Sequence, residues 1–127
     1  MDKKKYVIDG NNFDTLEGFY DEVSNVLIPG ASWGRNFDAF NDILYGGFGT
    51  PDEGFILIWK NVKRSKSDLG DTATLKWLEG KLHNIHPSNI PIWKQRIAMH
   101  KLRYGETLFM ILVDIILNHE DIELRFQ

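Results

Sequence analysis

Two aspartates, Asp38 and Asp42, are the side chains of this sequence that are best placed to do chemistry. They are four residues apart in a segment whose apolar residues have helical spacing, so both carboxylates face the same side of a predicted helix. Asp38 is favoured by the positive N-terminal end of that helix, whereas Asp42 lies near the negative C-terminal end. A helix selected for stability alone would not carry an aspartate at position 42.

Aromatic residues and glycines flank the two aspartates. Trp33 and Phe37 lie close to them in the sequence, and Gly34 and Gly46 allow a partner backbone to approach both ends of the helix. Carboxylates beside aromatic residues, on a helix between two flexible loops, are typical of a docking face for a cationic site. The alternative interpretation is an ordinary solvent-exposed helix surface.

The residues that could support catalysis or bind a metal do not form a recognisable site. His83 and His86 are spaced to share a helix face, but no glutamate completes a metalloprotease pattern and Pro87 limits the helix. The glycine-rich segment 46–49 follows a helix and precedes a strand, which is the reverse of a phosphate-binding loop. The sequence therefore predicts no catalytic residue, no metal site and no cofactor.

The composition also bears on the cellular setting. The sequence contains no cysteine, which excludes disulfides and thiol nucleophiles and favours a reducing compartment. Its first residues contain no apolar signal-peptide core. The most apolar stretch, 108–117, includes Asp114 and is far shorter than the ~20 apolar residues that span a bilayer. We therefore expect a cytoplasmic protein without a membrane segment.

The net charge of −3 is unevenly distributed along the chain. Residues 1–59 contain ten acids and four bases, residues 60–104 contain three acids and ten bases, and residues 105–127 contain five acids and one base. Such asymmetry favours a partner-facing surface, although folding that brings the two signs together explains it equally well. Binding of RNA by the basic segment is an alternative function, which the acidic remainder opposes.

Hydrophobic periodicity predicts the elements that position these residues. Strands are predicted at 6–8, 55–59 and 122–126, and helices at about 15–27, 36–44, 72–83 and 108–118. Asp14 is the predicted N-cap of the first helix. A turn or short helix fits 61–69, and a loop or broken helix fits 86–104. This order predicts an α/β fold, a small three-stranded parallel sheet packed by helices, as one domain spanning 1–127.

The central decapeptide, 33–42, reads Trp-Gly-Arg-Asn-Phe-Asp-Ala-Phe-Asn-Asp. It is similar to the signature aromatic-Gly-x-Asn-apolar-Asp-Ala-apolar-x-Asp of the barstar family of ribonuclease inhibitors. The segment Tyr-Val-Ile-Asp-Gly at 6–10 resembles the first strand of that family, and Gly46 and the strand ending in Trp59 follow at matching distances. Residues 105–127 resemble its final helix and strand.

The resemblance implies an inhibitor that forms a 1:1 complex with a basic ribonuclease or nuclease-type toxin. Asp42 would be the main anchor in place of a substrate phosphate, and Asp38 would pair with a further base. A nuclease site is built to attract phosphate oxygens, so carboxylates held at similar separation satisfy the same donors. The predicted partner-binding residues are Trp33, Gly34, Asn36, Phe37, Asp38, Asn41, Asp42, Gly46 and Asp114.

The chain departs from the family pattern at several points, among them Ser32 and Asn41, which stand where aromatic residues are found. Arg35 stands where an acid is found, and it would repel a basic partner. An inserted segment at about 70–103, which belongs to the basic middle of the chain, separates the third and fourth helices. We expect it to be mainly structural and to lie away from the docking face, because a nuclease active site is itself basic. A binding module of the same fold with a non-nuclease partner is the main alternative function.

Overall fold

The structure is a computed structural model that describes residues 3–127. Within that range the strands are β1 (Lys5–Asp9), β2 (Phe55–Lys60) and β3 (Ile122–Phe126). The helices are α1 (Leu16–Val26), α2 (Phe37–Tyr45), α3 (Val62–Asp68), α4 (Asp71–Lys81), α5 (Ile90–Lys101) and α6 (Leu108–Leu117). Single 3₁₀ turns cover Gly10–Asn12 and Pro87–Asn89. No helix of the described residues is long and apolar enough to cross a lipid bilayer.

The three strands form one parallel sheet in the order β1-β2-β3, with Val7 opposite Ile58 and Ile58 opposite Arg125. Nearly all of β2 is buried because helices and both neighbouring strands surround it. In β1 the side chains alternate, so that Tyr6 and Ile8 are buried while Val7 is exposed. The predicted α/β fold with a three-stranded parallel sheet is confirmed.

An aromatic cluster attaches the first two helices to the central strand. The ring of Trp59 stacks on Phe19 of α1 at 5.4 Å between centroids, and Phe19 packs edge-on against Phe40 of α2 at 5.3 Å. Each such pair contributes about 0.5–1.5 kcal/mol beyond its buried area. The indole N–H of Trp59 donates to Ser65 Oγ at 2.9 Å, so its polar atom is satisfied inside the core. The position of α2 is therefore fixed by the core.

The first helix begins differently from the sequence expectation. Its N-cap is Thr15, whose hydroxyl oxygen accepts a hydrogen bond from the Gly18 backbone N–H at 3.0 Å. Asp14 is exposed one residue earlier and does not cap the helix. Both residue types are good N-caps, so sequence alone did not distinguish the two adjacent positions.

The middle of the chain contains more helix than its pattern indicates. The segment 86–104, where a loop or broken helix was expected, contains a complete helix, α5. Pro91 lies in the first turn of α5, where a missing backbone N–H costs nothing. The apolar pattern of α5 is uneven because the helix packs mainly on α4, where Trp93 Nε1 donates to the Leu78 carbonyl oxygen at 2.8 Å.

Helix α4 and the residue before it are attached to the body of the protein by hydrogen bonds from backbone amides at the start of α6. The hydroxyl of Thr74, which is 1% exposed, accepts from the Leu108 N–H at 2.8 Å and donates to the Gly70 carbonyl oxygen at 2.7 Å. The Phe109 N–H donates to the Leu69 carbonyl oxygen at 3.0 Å. These bonds satisfy the first amides of α6 and hold α4 in place.

Candidate functional site

The two ends of α2 are set by residues that the sequence analysis had selected. Asn36 is the N-cap, and its side-chain oxygen accepts from the Ala39 N–H at 2.7 Å. Gly46 ends the helix with φ of 105°, a left-handed conformation that favours glycine. The preceding loop passes close to the helix at Gly34, where an added Cβ would lie 3.2 Å from the Cβ of Ala39.

The outer surface of α2 carries Asp38, Asp42 and Tyr45, which we call the α2 ridge. All three are exposed, because Phe40, Ile43 and Leu44 provide the buried face. The spacing of four and then three residues aligns the ridge along one side of the helix. Neither Asp38 nor Asp42 forms an ion pair or hydrogen bond with a side chain of residues 3–127. The ridge thus presents two uncompensated carboxylates.

Tyr45 was missed by the sequence analysis. Its side chain is 72% exposed, and its ring packs edge-on against His119 at 4.5 Å between centroids. The signal that could have identified it is its position three residues after Asp42, on the same helix face. An exposed phenol beside a carboxylate adds a flat apolar surface and a hydrogen-bonding group to the ridge.

The positive charge of Arg35 is paired with carboxylates of the protein itself. It adopts a left-handed φ of 53°, and its guanidinium Nη2 lies 2.6 Å from Asp21 Oδ1 and 3.3 Å from Glu17 Oε2, both on α1. The hydrogen bond to Asp21 raises the pKa of Arg35, with a smaller contribution from Glu17. The repulsion expected from Arg35 toward a basic partner is therefore offset by two nearby carboxylates.

Trp33 and Asn41, two of the predicted partner-binding residues, have partners within the protein. The Trp33 indole N–H donates to Ser24 Oγ at 2.7 Å, and its ring packs edge-on against Tyr20 at 5.3 Å. Burial raises the pKa of the Tyr20 phenol. Asn41 Oδ1 lies 2.7 Å from Nε2 of His119, in the turn between α6 and β3. Both side chains are half-buried, so they support the loop and the helix from behind.

Asp114 is exposed on α6, the helix that packs beside α2. Phe37 is half-buried, and its ring contacts Trp77 of α4 at 5.4 Å between centroids. An open cleft between α1, α2 and α4 is lined by Asn36, Asp38, Lys76, Trp77 and Lys81 among others.

The insertion was expected to lie away from the predicted docking face, yet one of its two helices, α4, lies against the first turn of α2. Phe37, at the first turn of α2, needs an apolar neighbour, and Trp77 of α4 provides it. The indole of Trp77 in turn packs against the protein core as a partly buried side chain. One helix of the insertion thus borders the beginning of the α2 ridge.

His83 and His86 were the only weak metal candidates in the sequence. In the structure His86 acts as the N-cap of the 3₁₀ turn, where its Nδ1 lies 2.7 Å from Ser88 Oγ and accepts from the Ser88 N–H at 3.2 Å. Among residues 3–127, no three side chains of the types His, Cys, Asp and Glu come together as possible ligands of one ion.

Comparison with known proteins adds two findings. The family model described as "Barstar (barnase inhibitor)" matches residues 4–85, which is more than half of the chain. The chain is also 34% identical over 70 residues to "Putative ribonuclease inhibitor YrdF" of Bacillus subtilis (strain 168), covering 55% of this chain and 74% of that protein. The family match extends from β1 through α4, so it includes the α2 ridge and also residues 70–85, which we had assigned to the insertion.

Proposed function

This chain belongs to the barstar family, and we propose that it is an inhibitor that blocks the active site of a ribonuclease with the carboxylates of the α2 ridge. In this proposal Asp42 replaces a substrate phosphate and Asp38 pairs with a neighbouring base of the nuclease. The partner is a basic ribonuclease or nuclease-type toxin, bound in a 1:1 complex in the cytoplasm. The protein has no catalytic role of its own and uses no cofactor.

The observation that carries the proposal is that Asp38 and Asp42 are exposed, aligned and uncompensated on one helix. Two like charges four residues apart cost stability, and Asp42 also opposes the helix dipole. Within residues 3–127 no cation within 4.0 Å offsets that cost. Charge-assisted hydrogen bonds to arginine, lysine or histidine of a partner would do so, and a nuclease active site provides such groups.

The comparisons support a ribonuclease-inhibitor-like role at the level of the family and of the relative's name. The remaining predicted residues are assigned supporting roles. Asn36, Gly34 and Gly46 bring the backbone of the flanking loops close to the partner, and Asp114 extends the acidic surface onto α6. Phe37, Trp33 and Asn41 hold the ridge in position through their internal contacts.

The proposal is tested by inhibition of purified nucleases. The chain is titrated into a panel of small basic ribonucleases that includes barnase, with cleavage of a fluorogenic RNA substrate as the readout. We expect at least one nuclease to be inhibited at a 1:1 ratio, and Asp42→Ala to weaken that inhibition strongly while the variant remains folded. Absence of inhibition across the panel by the folded chain would overturn the proposal.

The same samples distinguish the alternative functions. Binding of the unmodified chain to a labelled RNA oligonucleotide, measured without nuclease, would favour the RNA-binding alternative. A folded chain that neither inhibits a nuclease nor binds RNA would leave a binding module with a non-nuclease partner as the function that fits the fold.

A further inference from the structure

The contact between Phe37 and Trp77 places two lysines of α4 next to the proposed inhibitory surface. Lys76 and Lys81 are exposed, and both line the cleft that also contains Asn36 and Asp38. The cleft is open to solvent and has a volume of about 580 Å³. A partner that seats its active site on Asp38 therefore also lies against these lysines.

The lysines of this cleft form no ion pair within the described part of the chain. Among residues 3–127, neither Lys76 nor Lys81 has a carboxylate within 4.0 Å. Of the three acids that line the cleft, Glu17 is already paired with Arg35, and Asp14 and Asp38 pair with neither lysine. The Nζ of Lys81 lies 5.6 Å above the Trp77 ring, a cation–π contact that orients the ammonium but leaves its charge in place.

The helix that carries the lysines is held in place beside α2. Their helix, α4, is anchored by the buried Thr74 hydroxyl, which bonds to the start of α6, and by Leu78, which is 4% exposed. A nuclease whose surface next to the active site is basic would therefore face repulsion from Lys76 and Lys81. A nuclease with acidic side chains at that place would gain attraction instead.

We propose that α4 is part of the inhibitory surface and determines which nuclease is bound. This inference rests on the proposed function. Asp38 and Asp42 enter the basic active site, while Lys76 and Lys81 bind acidic side chains on its rim. The target is thus a nuclease with a positive active site and a negative neighbouring patch. This arrangement uses both attraction to the correct partner and repulsion of nucleases that are basic throughout.

The insertion supplies a matched control for this proposal. Lys94 and Lys101 are exposed on α5 and line a separate groove with Glu79 and Leu82, to which α1 and α2 contribute no residue. Removing these two charges changes the net charge of the protein by the same amount as removing Lys76 and Lys81. Any difference in affinity between the two double variants therefore reflects where the lysines lie and not the total charge of the protein.

The experiment compares K76Q/K81Q with K94Q/K101Q for binding to the nuclease of the panel that the chain inhibits most strongly. The nuclease is used as a catalytically inactive variant, and affinity is measured by calorimetry. We expect K76Q/K81Q to weaken binding by about three- to tenfold, which is the effect expected from the loss of two partly exposed ion pairs. We expect K94Q/K101Q to leave the affinity unchanged. K76E/K81E should weaken it further, and urea unfolding should show all variants folded.

Equal affinity of the two double variants, or tighter binding by K76Q/K81Q, would overturn the role of α4 while leaving the proposed function intact. If K76Q/K81Q instead loses binding to an RNA oligonucleotide with no effect on the nuclease, the lysines bind nucleic acid and the proposal is wrong. Failure of the unmodified chain to inhibit any nuclease would remove the proposed function, and this inference with it.

Discussion

Asn41 of α2 and His119, near the C-terminal end of the chain, are joined by a hydrogen bond of 2.7 Å between Oδ1 and Nε2. His119 is only 5% exposed, so water has little access to its ring nitrogens. Asn41 lies between Asp38 and Asp42 along α2, and its contact restrains the helix directly behind the ridge. The same imidazole packs against Tyr45, so His119 supports two residues of α2.

Loss of this hydrogen bond should destabilise the protein more than it weakens inhibition. We expect Asn41→Ala to lower the free energy of unfolding by about 1–2 kcal/mol, because a buried N–H is left without an acceptor. The measurement is urea unfolding followed by tryptophan fluorescence. Asn25→Ala, at an exposed position of α1, is the control and should change stability by less than about 0.5 kcal/mol. Equal stabilities of the two variants would contradict a structural role for Asn41.

The two aspartates of the ridge should contribute unequally to inhibition. We expect Asp42→Ala to weaken inhibition at least about tenfold more than Asp38→Ala, because Asp42 is assigned as the phosphate-mimicking anchor. Inhibition constants against the most strongly inhibited nuclease provide the comparison. Small and equal losses for both variants would show that the anchor is elsewhere.

Substitutions of the same two aspartates should have opposite effects on the stability of the free protein. Asp42→Asn removes an acid from the unfavourable end of α2 and should stabilise the free protein by about 0.3–0.5 kcal/mol. Asp38→Asn removes an acid from the favourable end and should destabilise it by a similar amount. Thermal unfolding of both variants checks the signs, and a reversal of the two would show that the dipole argument for Asp42 is wrong.

The helix that carries the ridge could be predicted from sequence because its determinants are local. Apolar residues at helical spacing define the buried face of α2, Asn36 is a strong N-cap, and Gly46 ends the helix with a positive φ. The exposure of Asp38 and Asp42 follows directly from that periodicity. The strands were predictable for the same reason, since each is a short apolar or alternating run between turn-forming residues.

The contact between Phe37 and Trp77 could not be predicted in this way. It joins residues of two helices that are separated by β2 and α3, and it depends on how α4 is held against α6. A complete helix α5 was not predicted because its uneven apolar pattern reflects packing on a single neighbouring helix. In addition, the prolines were interpreted as helix breakers, although a proline in the first turn is compatible with a helix. The insertion was expected to lie away from the predicted docking face because a nuclease site is itself basic, whereas packing brings α4 next to α2.

The stability of the protein should show an acid-dependent contribution from Asp9, at the end of β1. Its carboxylate accepts from the Asn11 N–H at 2.9 Å and from Asn61 Nδ2 at 2.7 Å, and these bonds lower its pKa below the ordinary value of 3.8. A lowered pKa in the folded state stabilises the protein above the pKa of the unfolded chain. That contribution is lost as the pH falls through the lower, folded pKa.

Urea unfolding of the unmodified chain and of Asp9→Ala between pH 2 and pH 6 tests this. The difference in unfolding free energy between the two proteins should be constant above about pH 5 and should shrink as the pH falls below 3.8. A difference that stays constant down to pH 2 would mean that the carboxylate is not stabilised by its two hydrogen bonds.

Association with the nuclease should be accelerated by the acidic side chains of the ridge and of α6. Asp38, Asp42 and Asp114 are all exposed, and attraction between such charges and a basic partner acts over roughly a Debye length, which is about 10 Å at 0.1 M salt. We expect the association rate constant to fall at least about tenfold between low and high salt, with a smaller change in dissociation. Stopped-flow fluorescence at a series of NaCl concentrations measures both rate constants.

A charge-matched pair of variants shows whether the acceleration originates at the ridge. Asp38→Asn and Glu79→Gln each remove one negative charge, but Glu79 lies on the side of α4 that faces α5, outside the cleft at the start of α2. Because the field of a nearby charge is felt more strongly during encounter, Asp38→Asn should reduce the salt dependence of association more than Glu79→Gln does. An association rate that is independent of salt, or equal slopes for the two variants, would contradict steering by the ridge.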